Sequence, residues 1–206
     1  MPQPLTYLRE TASQTAGPYV HIGLAPAAAG FDIFERELGQ DIAGPNAEGL
    51  RIRIEGTVHD GTGAVVKDSL IEAWQANAAG IHAHPEDGRE VEDGFRGWGR
   101  AACDFDTGLW SFETVKPGAT VGPGGRPQAP HLSLWIVARG INIGLHTRLY
   151  FADEPEANAT DPVMGLIEQA HRRDTLLARP ESRDGKTVYR FDIHLQGDAE
   201  TVFFDL

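Results

Sequence analysis

The chain contains one cysteine, Cys103, in 206 residues. That excludes an internal disulfide and a thiolate metal cage, and it fits a reducing compartment. No apolar stretch approaches the roughly 20 residues a membrane-spanning helix needs, and Met1 to Ala16 lacks the basic-then-apolar order of a secretory leader. A cytoplasmic chain with no membrane association is the expectation. Basic residues are in the minority, 18 Lys and Arg against 30 Asp and Glu, for a formal net charge of −12. Such a balance disfavours nucleic acid and anionic lipid, which reward Lys and Arg. Gly-x-Ser-x-Gly, the Walker A loop and a Gly-x-Gly-x-x-Gly opening a helix are all missing, so esterase, phosphate-loop and dinucleotide chemistries lose their signatures. An acidic chain acting on an anionic substrate needs a local cation, which makes single arginines worth following.

What is present is strand periodicity. Leu50, Ile52, Ile54, Gly56 and Val58 alternate with Arg51, Arg53, Glu55, Thr57 and His59, the period-two pattern of a strand with one buried face. Asp60-Gly61-Thr62-Gly63 then supplies a turn leading to a hairpin with 64–66. Further strands are predicted over 69–75, 100–105, 109–115, 131–139, 145–151, 187–196 and 201–204, and so many short strands suggest an all-β sandwich. The length suits one domain over 1–206, with an N-terminal arm and irregular region over 1–49 and the sandwich over 50–206. One helix is predicted from Asp161 as N-cap and Pro162 at the first helical position, with Val163, Leu166, Ile167 and Ala170 at helical spacing. A second helix is predicted over 31–39, where Ile33, Phe34, Glu37 and Leu38 fit the helical period.

Long irregular segments at 5–18, 76–99 and 116–130 are the places to look for function or for contacts with a partner. Cys103 sits in a strand and reads as a small core residue. His82 and His84 form a His-x-His pair, ordinarily solvated beside Pro85, Glu86, Asp87 and Gly88. His131 opens a strand whose face should also carry Ser133, Trp135, Val137 and Arg139. Spacing alone assigns no metal site. Arg139, before the Gly140-Ile141-Asn142 turn, would hold a planar fork suited to a carboxylate at the sandwich rim; a plain surface ion pair is the alternative.

Ile54-Glu55-Gly56-Thr57-Val58-His59-Asp60 and Asp68-Ser69-Leu70-Ile71-Glu72-Ala73-Trp74-Gln75-Ala76-Asn77-Ala78-Ala79-Gly80 closely resemble the signature of intradiol aromatic-ring dioxygenases. The likeness continues in Gly99-Arg100, in 106–112, in Thr114-Val115-Lys116-Pro117-Gly118 and in Tyr189-Arg190-Phe191-Asp192-Ile193. Within that family, Thr15-Ala16-Gly17-Pro18-Tyr19-Val20 and Ala138-Arg139-Gly140-Ile141-Asn142 resemble the members acting on protocatechuate (3,4-dihydroxybenzoate). The resemblance implies a β-sandwich.

Iron-binding members hold a ferric ion with two tyrosines and two histidines. At the matching positions this chain has His82, Thr120, His131 and Ser133, so one ligand of four survives; Gln128 replaces an arginine that precedes the histidine pair. A hard ferric ion favours anionic oxygen, which one imidazole and hydroxyls do not supply. The resemblance therefore implies an alpha-type chain with no cofactor of its own, paired with a homologous beta chain that holds Fe(3+), in a higher-order alpha-beta oligomer acting on protocatechuate and O2. Arg139, Thr15, Gly17, Pro18 and Tyr19 would line the substrate side. Two alternatives stay open: a self-sufficient dioxygenase with an unusual metal site from His82, His84 and His131, and a sandwich used only as a scaffold.

Overall fold

In the computed structural model, which describes residues 14–17, 19–35 and 38–205, the alternating segments become strands, eight in one sheet and four in two small two-stranded sheets, β2 with β12 and β6 with β7. They are β1 (Arg51–Gly56), β2 (Val58–His59), β3 (Leu70–Gln75), β4 (Trp98–Ala102), β5 (Trp110–Val115), β6 (Thr120–Val121), β7 (Pro127–Gln128), β8 (His131–Val137), β9 (Leu145–Phe151), β10 (Leu177–Arg183), β11 (Lys186–Arg190) and β12 (Ile193–His194). The order in the large sheet is β4-β3-β8-β9-β10-β11-β1-β5. β10 joins its two halves: Leu177 and Ala178 pair with β9, while Arg179 to Arg183 pair with β11. The sheet thus folds over on itself as a sandwich, and its edge strands β4 and β5 are neighbours through the turn between them. Inside lie Ile52, Ile54, Ile71, Trp110, Leu132, Leu134, Ile136, Leu149 and Phe151, all nearly fully buried. Burial of such side chains contributes roughly 1.5–3 kcal/mol each and is the main stabilising force.

The predicted hairpin after β2 is reduced to one bridge between His59 and Val65. Asp60 accepts the Thr62 and Ala64 amides and the Thr62 hydroxyl and fixes that turn. The predicted 187–196 strand is split at Phe191 and Asp192 into β11 and β12. Residues 201–204 form no strand but one bridge, from Phe204 to His146.

The helices differ from expectation. Residues 161–170 hold a 3-10 turn, Met164–Leu166, and the first residue of a second 3-10 helix, Ala170–Leu176. Asp161 does accept the Val163 and Met164 amides as a cap does, yet Ile167 leaves helical geometry, and the Arg173 guanidinium takes its carbonyl instead. The described residues of 31–39 are not helical. Among the described residues the two α-helices are α1 (Val20–Leu24) and α2 (Pro155–Thr160), the latter with its proline at the first position.

On β8 the residues Leu132, Leu134 and Ile136 point into the core, which turns His131, Ser133 and Trp135 outward. Cross-strand pairing then sets rows on that outer face: Trp74, Ser133 and Arg148 in one, His131 and Tyr150 in the next.

Candidate functional site

The family-like motifs build a frame rather than a reactive centre. Gln75, buried, donates to the Ala76 and Val115 carbonyls and accepts from the Thr114 hydroxyl, so every edge of its amide is used. Asn77 accepts the Ala79 and Ile81 amides and donates to Glu92. Gly80 has φ +73° and lies against the Ala119 carbonyl, where a Cβ would come within 1.9 Å of the oxygen. That close approach locks the loop after β3 to the loop after β5. Lys116 pairs with Asp153 at 2.9 Å and Glu154 at 2.7 Å, and Tyr189 donates to Asp153 at 2.8 Å. Glu72 takes both Nε and Nη2 of Arg100. Arg190 at the end of β11 and Asp192 before β12 join Thr57, between β1 and β2, in the same way.

On this frame three of the four degenerate ligand positions, His82, His131 and Ser133, are linked across the outer face of β3 and β8, while Thr120 lies on the separate β6–β7 ribbon. The His82 ring stacks on Trp74 at 5.8 Å with 4° between planes, and Trp74 lies opposite Ser133. Thr120 faces Gln128 across β6 and β7, their side-chain oxygens 3.4 Å apart. His131 is buried, with Nδ1 2.8 Å from the Ala129 carbonyl. A carbonyl only accepts, so Nδ1 carries the proton and Nε2 keeps its lone pair. Burial first, and then the positive Arg148, push the His131 pKa down to about 4.

Tyr150 stands beside His131, with ring centroids 5.7 Å apart; a phenol at this place was not expected from its strand position. Its hydroxyl donates to Asp161 at 3.1 Å and accepts from Arg148 Nη1 at 3.3 Å, and burial raises its pKa. It is held as a neutral phenol. The residues therefore do not fit a ferric ion: they offer one free imidazole edge, a second imidazole engaged in stacking, hydroxyls and a guanidinium, and the nearby Asp161 carboxylate is taken up by three amides and the Tyr150 hydroxyl. His84, the third member of the atypical metal set, meets Trp74 edge-on and accepts the Glu86 amide at Nδ1. Among the described residues no group of three or more His, Cys, Asp or Glu is placed to hold a metal. Arg148 and Asp161 were not singled out as site residues, although β9 alternation puts Arg148 on the Ser133 face.

The substrate-side positions lie at another edge. Thr15 Oγ1 donates to the Ala138 carbonyl at 3.2 Å and accepts the Gly140 amide at 2.8 Å, which clasps the N-terminal segment to the turn bearing Arg139. Arg139 is 65 % exposed and its Nε pairs with Asp68. Among the described residues, Asp68 is the acidic partner of Arg139. Gly17 accepts the Val20 amide at the start of α1, and nothing approaches within 4 Å of a Cβ built on it. Tyr19 is 79 % exposed. Pro18 lies outside the described residues.

Cys103 is buried beside Ser69, and burial pushes its thiol up to about 12, which makes it an inert core residue.

A sandwich whose outer face gathers degenerate ligand positions over a frame of Gln75, Asn77, Gly80 and Lys116 belongs to the ring-cleaving dioxygenases in architecture. The family model described as Dioxygenase matches residues 31–197, and the chain belongs to that family. Fold comparison agrees: hydroxyquinol 1,2-dioxygenase from Pseudomonas putida DLL-E4 superposes with a TM-score of 0.57 at 19% identity, over 86% of this chain and 72% of that one. More particularly, the chain is 52% identical to the protocatechuate 3,4-dioxygenase alpha chain of Pseudomonas putida, over 98% of this chain and 99% of that protein. It is 38% identical to the protocatechuate 3,4-dioxygenase beta chain of Burkholderia cepacia, over 74% of this chain and 67% of that one.

Proposed function

We propose that this chain is the metal-free alpha subunit of a cytoplasmic protocatechuate 3,4-dioxygenase, working beside a beta chain that holds the ferric ion. The observation that carries the reading is the outer face around His131, where His82, His131 and Ser133 offer no phenolate while the frame beneath them is intact. A chain built this way can shape and wall an active site but cannot bind the iron that opens the ring. The names of the alpha- and beta-chain relatives support the same division of labour.

In this reading Arg139 receives the ring carboxylate of protocatechuate. The guanidinium is exposed, and its Nε contact with Asp68 leaves the terminal edge for a second carboxylate. Thr15 holds that turn in place, and Gly17 and Tyr19 line the mouth. A charge-assisted contact of this kind is worth roughly 1.5–3 kcal/mol, or about one to two decades in affinity. Tyr19, Ile22, Phe31, Ile33 and Phe34 are all exposed on the adjoining segment. Such a run of apolar side chains suits burial against the beta chain in a higher-order alpha-beta assembly.

The test is iron content and protocatechuate-dependent oxygen uptake, measured for the chain alone and after co-expression with an iron-binding beta chain. Neither iron nor uptake alone, and both in the complex, is the expected result. Iron and turnover in the isolated chain would replace this reading with a self-sufficient dioxygenase.

A further inference from the structure

The N-terminal segment is fastened to the sheet at two points, and a histidine lies between them. At one end Thr15 Oγ1 donates to the Ala138 carbonyl and accepts the Gly140 amide, which clasps it to the turn bearing Arg139. At the other, Arg100 Nη1 donates to the Leu24 carbonyl at 3.0 Å while its Nε and Nη2 stay with Glu72. Helix α1 lies in the interval, and the one side chain it buries is His21, 1 % exposed. A helix of 5 residues with no side-chain cap does not hold itself, so its place depends on what His21 packs against.

The site that receives His21 suits a neutral ring. Phe105 meets it edge-on, with centroids 5.1 Å apart. Both ring nitrogens are cut off from solvent, and neither has a hydrogen-bond partner among the described residues. Burial lowers the His21 pKa; it outweighs the Ser69 carbonyl and the Asp68 carboxylate, which favour the proton but reach neither nitrogen in hydrogen-bond geometry. Asp68, the charge whose field reaches the ring, is already held by Arg139. The Cys103 thiol behind Ser69 stays neutral, and α1 carries no other charged side chain. An imidazolium in this place would be a buried charge without a bonded partner, which is far costlier than the neutral ring.

We propose that His21 is a proton-sensitive positioning residue: its neutral ring seats α1 and keeps the Thr15 clasp on the Arg139 turn, and protonation expels the ring and loosens that clasp. An aliphatic side chain could seat the helix as well; what the imidazole adds is a response near neutral pH. The sign follows from linkage. Released, the ring takes a proton at its ordinary 6.5; seated, it does so only at lower pH. Seating is therefore complete above 6.5 and weakens as pH falls below it, by up to about tenfold per pH unit until the seated ring is itself protonated.

Hydrogen exchange of the full chain across this range tests it. The reporters are the Gly140 amide, held by Thr15, and the Ala25 amide, which donates to the His21 carbonyl at 2.8 Å. Their protection factors are expected to fall together below pH 6.5, and His21→Leu, which fills the site without a titratable group, is expected to abolish the fall. His21→Gln takes its place if the leucine variant does not fold. Protection in wild type that ignores pH, or an equal fall in a folded variant without the imidazole, overturns the proposal. Its consequence for substrate rests on the role given to Arg139 above. In the assembled enzyme, the KM of wild type for protocatechuate, relative to His21→Leu, should rise over the same range with the kcat ratio unchanged. Exchange that follows pH while this KM ratio does not would strike the role of Arg139 and leave the seating of α1 by His21 in place.

Discussion

His131 shows how a single residue ties sequence to pH response. Its neutral ring is favoured by burial and by Arg148, which together hold its pKa at about 4 against an ordinary 6.5. Above pH 6.5 neither folded nor unfolded chain protonates it, and its contribution to stability is complete. Between 6.5 and 4 only the unfolded chain takes up the proton, so stability falls with pH, to a total of about 3 kcal/mol below pH 4. The charged and titratable groups around it are Arg148, Asp161 and His82. Urea melts across this range should show the decline, and His131→Gln should flatten it; an unchanged slope in the variant would place the proton uptake elsewhere. Gly80 is the other residue whose identity is forced. With φ at +73° and the Ala119 oxygen where a Cβ would sit, Gly80→Ala should cost more than about 2 kcal/mol by chemical denaturation. A variant as stable as wild type would mean that the two loops can separate freely.

At the scale of elements, strands with one buried face were legible and the rest was not. β1, β3, β5, β8 and β9 alternate because one side faces Trp110, Leu132 and their neighbours, and β9 was placed at both ends. β10 gave no such signal: Pro180, Glu181, Ser182 and Arg183 are all exposed, and its place depends on bridging the two halves of the sheet. The predicted helix failed for a different reason. Asp161 was correctly seen as a cap, but its carboxylate also serves Ala129 and Tyr150, which pins the segment to the sheet as a 3-10 turn with Met164 and Ile167 packed on Tyr150. Asp161→Ala should therefore remove four contacts at once and cost about 3 kcal/mol or more, with loss of protection at the Ala129, Val163 and Met164 amides in hydrogen exchange. Unaltered exchange at these amides would show that the turn stands without its carboxylate. The candidate site was legible as positions but not as electrostatics. Sequence located His82, Thr120, His131 and Ser133, whereas the link from Arg148 through Tyr150 to Asp161 needs two strands and a loop to meet in space.

For the whole molecule, the net charge of −12 opposes an anionic substrate, and the proposed role of Arg139 is a local answer to that field. Asp68 already holds one edge of the guanidinium, so a substrate carboxylate must be recognised at the remaining edge against the pull of a nearby negative charge. Recognition of this kind acts on binding and leaves the bond-breaking step, which the proposed assembly assigns to the iron of the beta chain, nearly untouched. In the assembled enzyme Arg139→Ala should accordingly raise KM for protocatechuate by about one to two decades with kcat little changed. Catechol lacks the carboxylate, and its KM should hardly move; added salt should erode the wild-type preference for protocatechuate and leave the variant indifferent. An equal rise in KM for both substrates would assign Arg139 to the shape of the assembly, as one half of an ion pair with Asp68, and the substrate carboxylate would then need a cation from the partner chain.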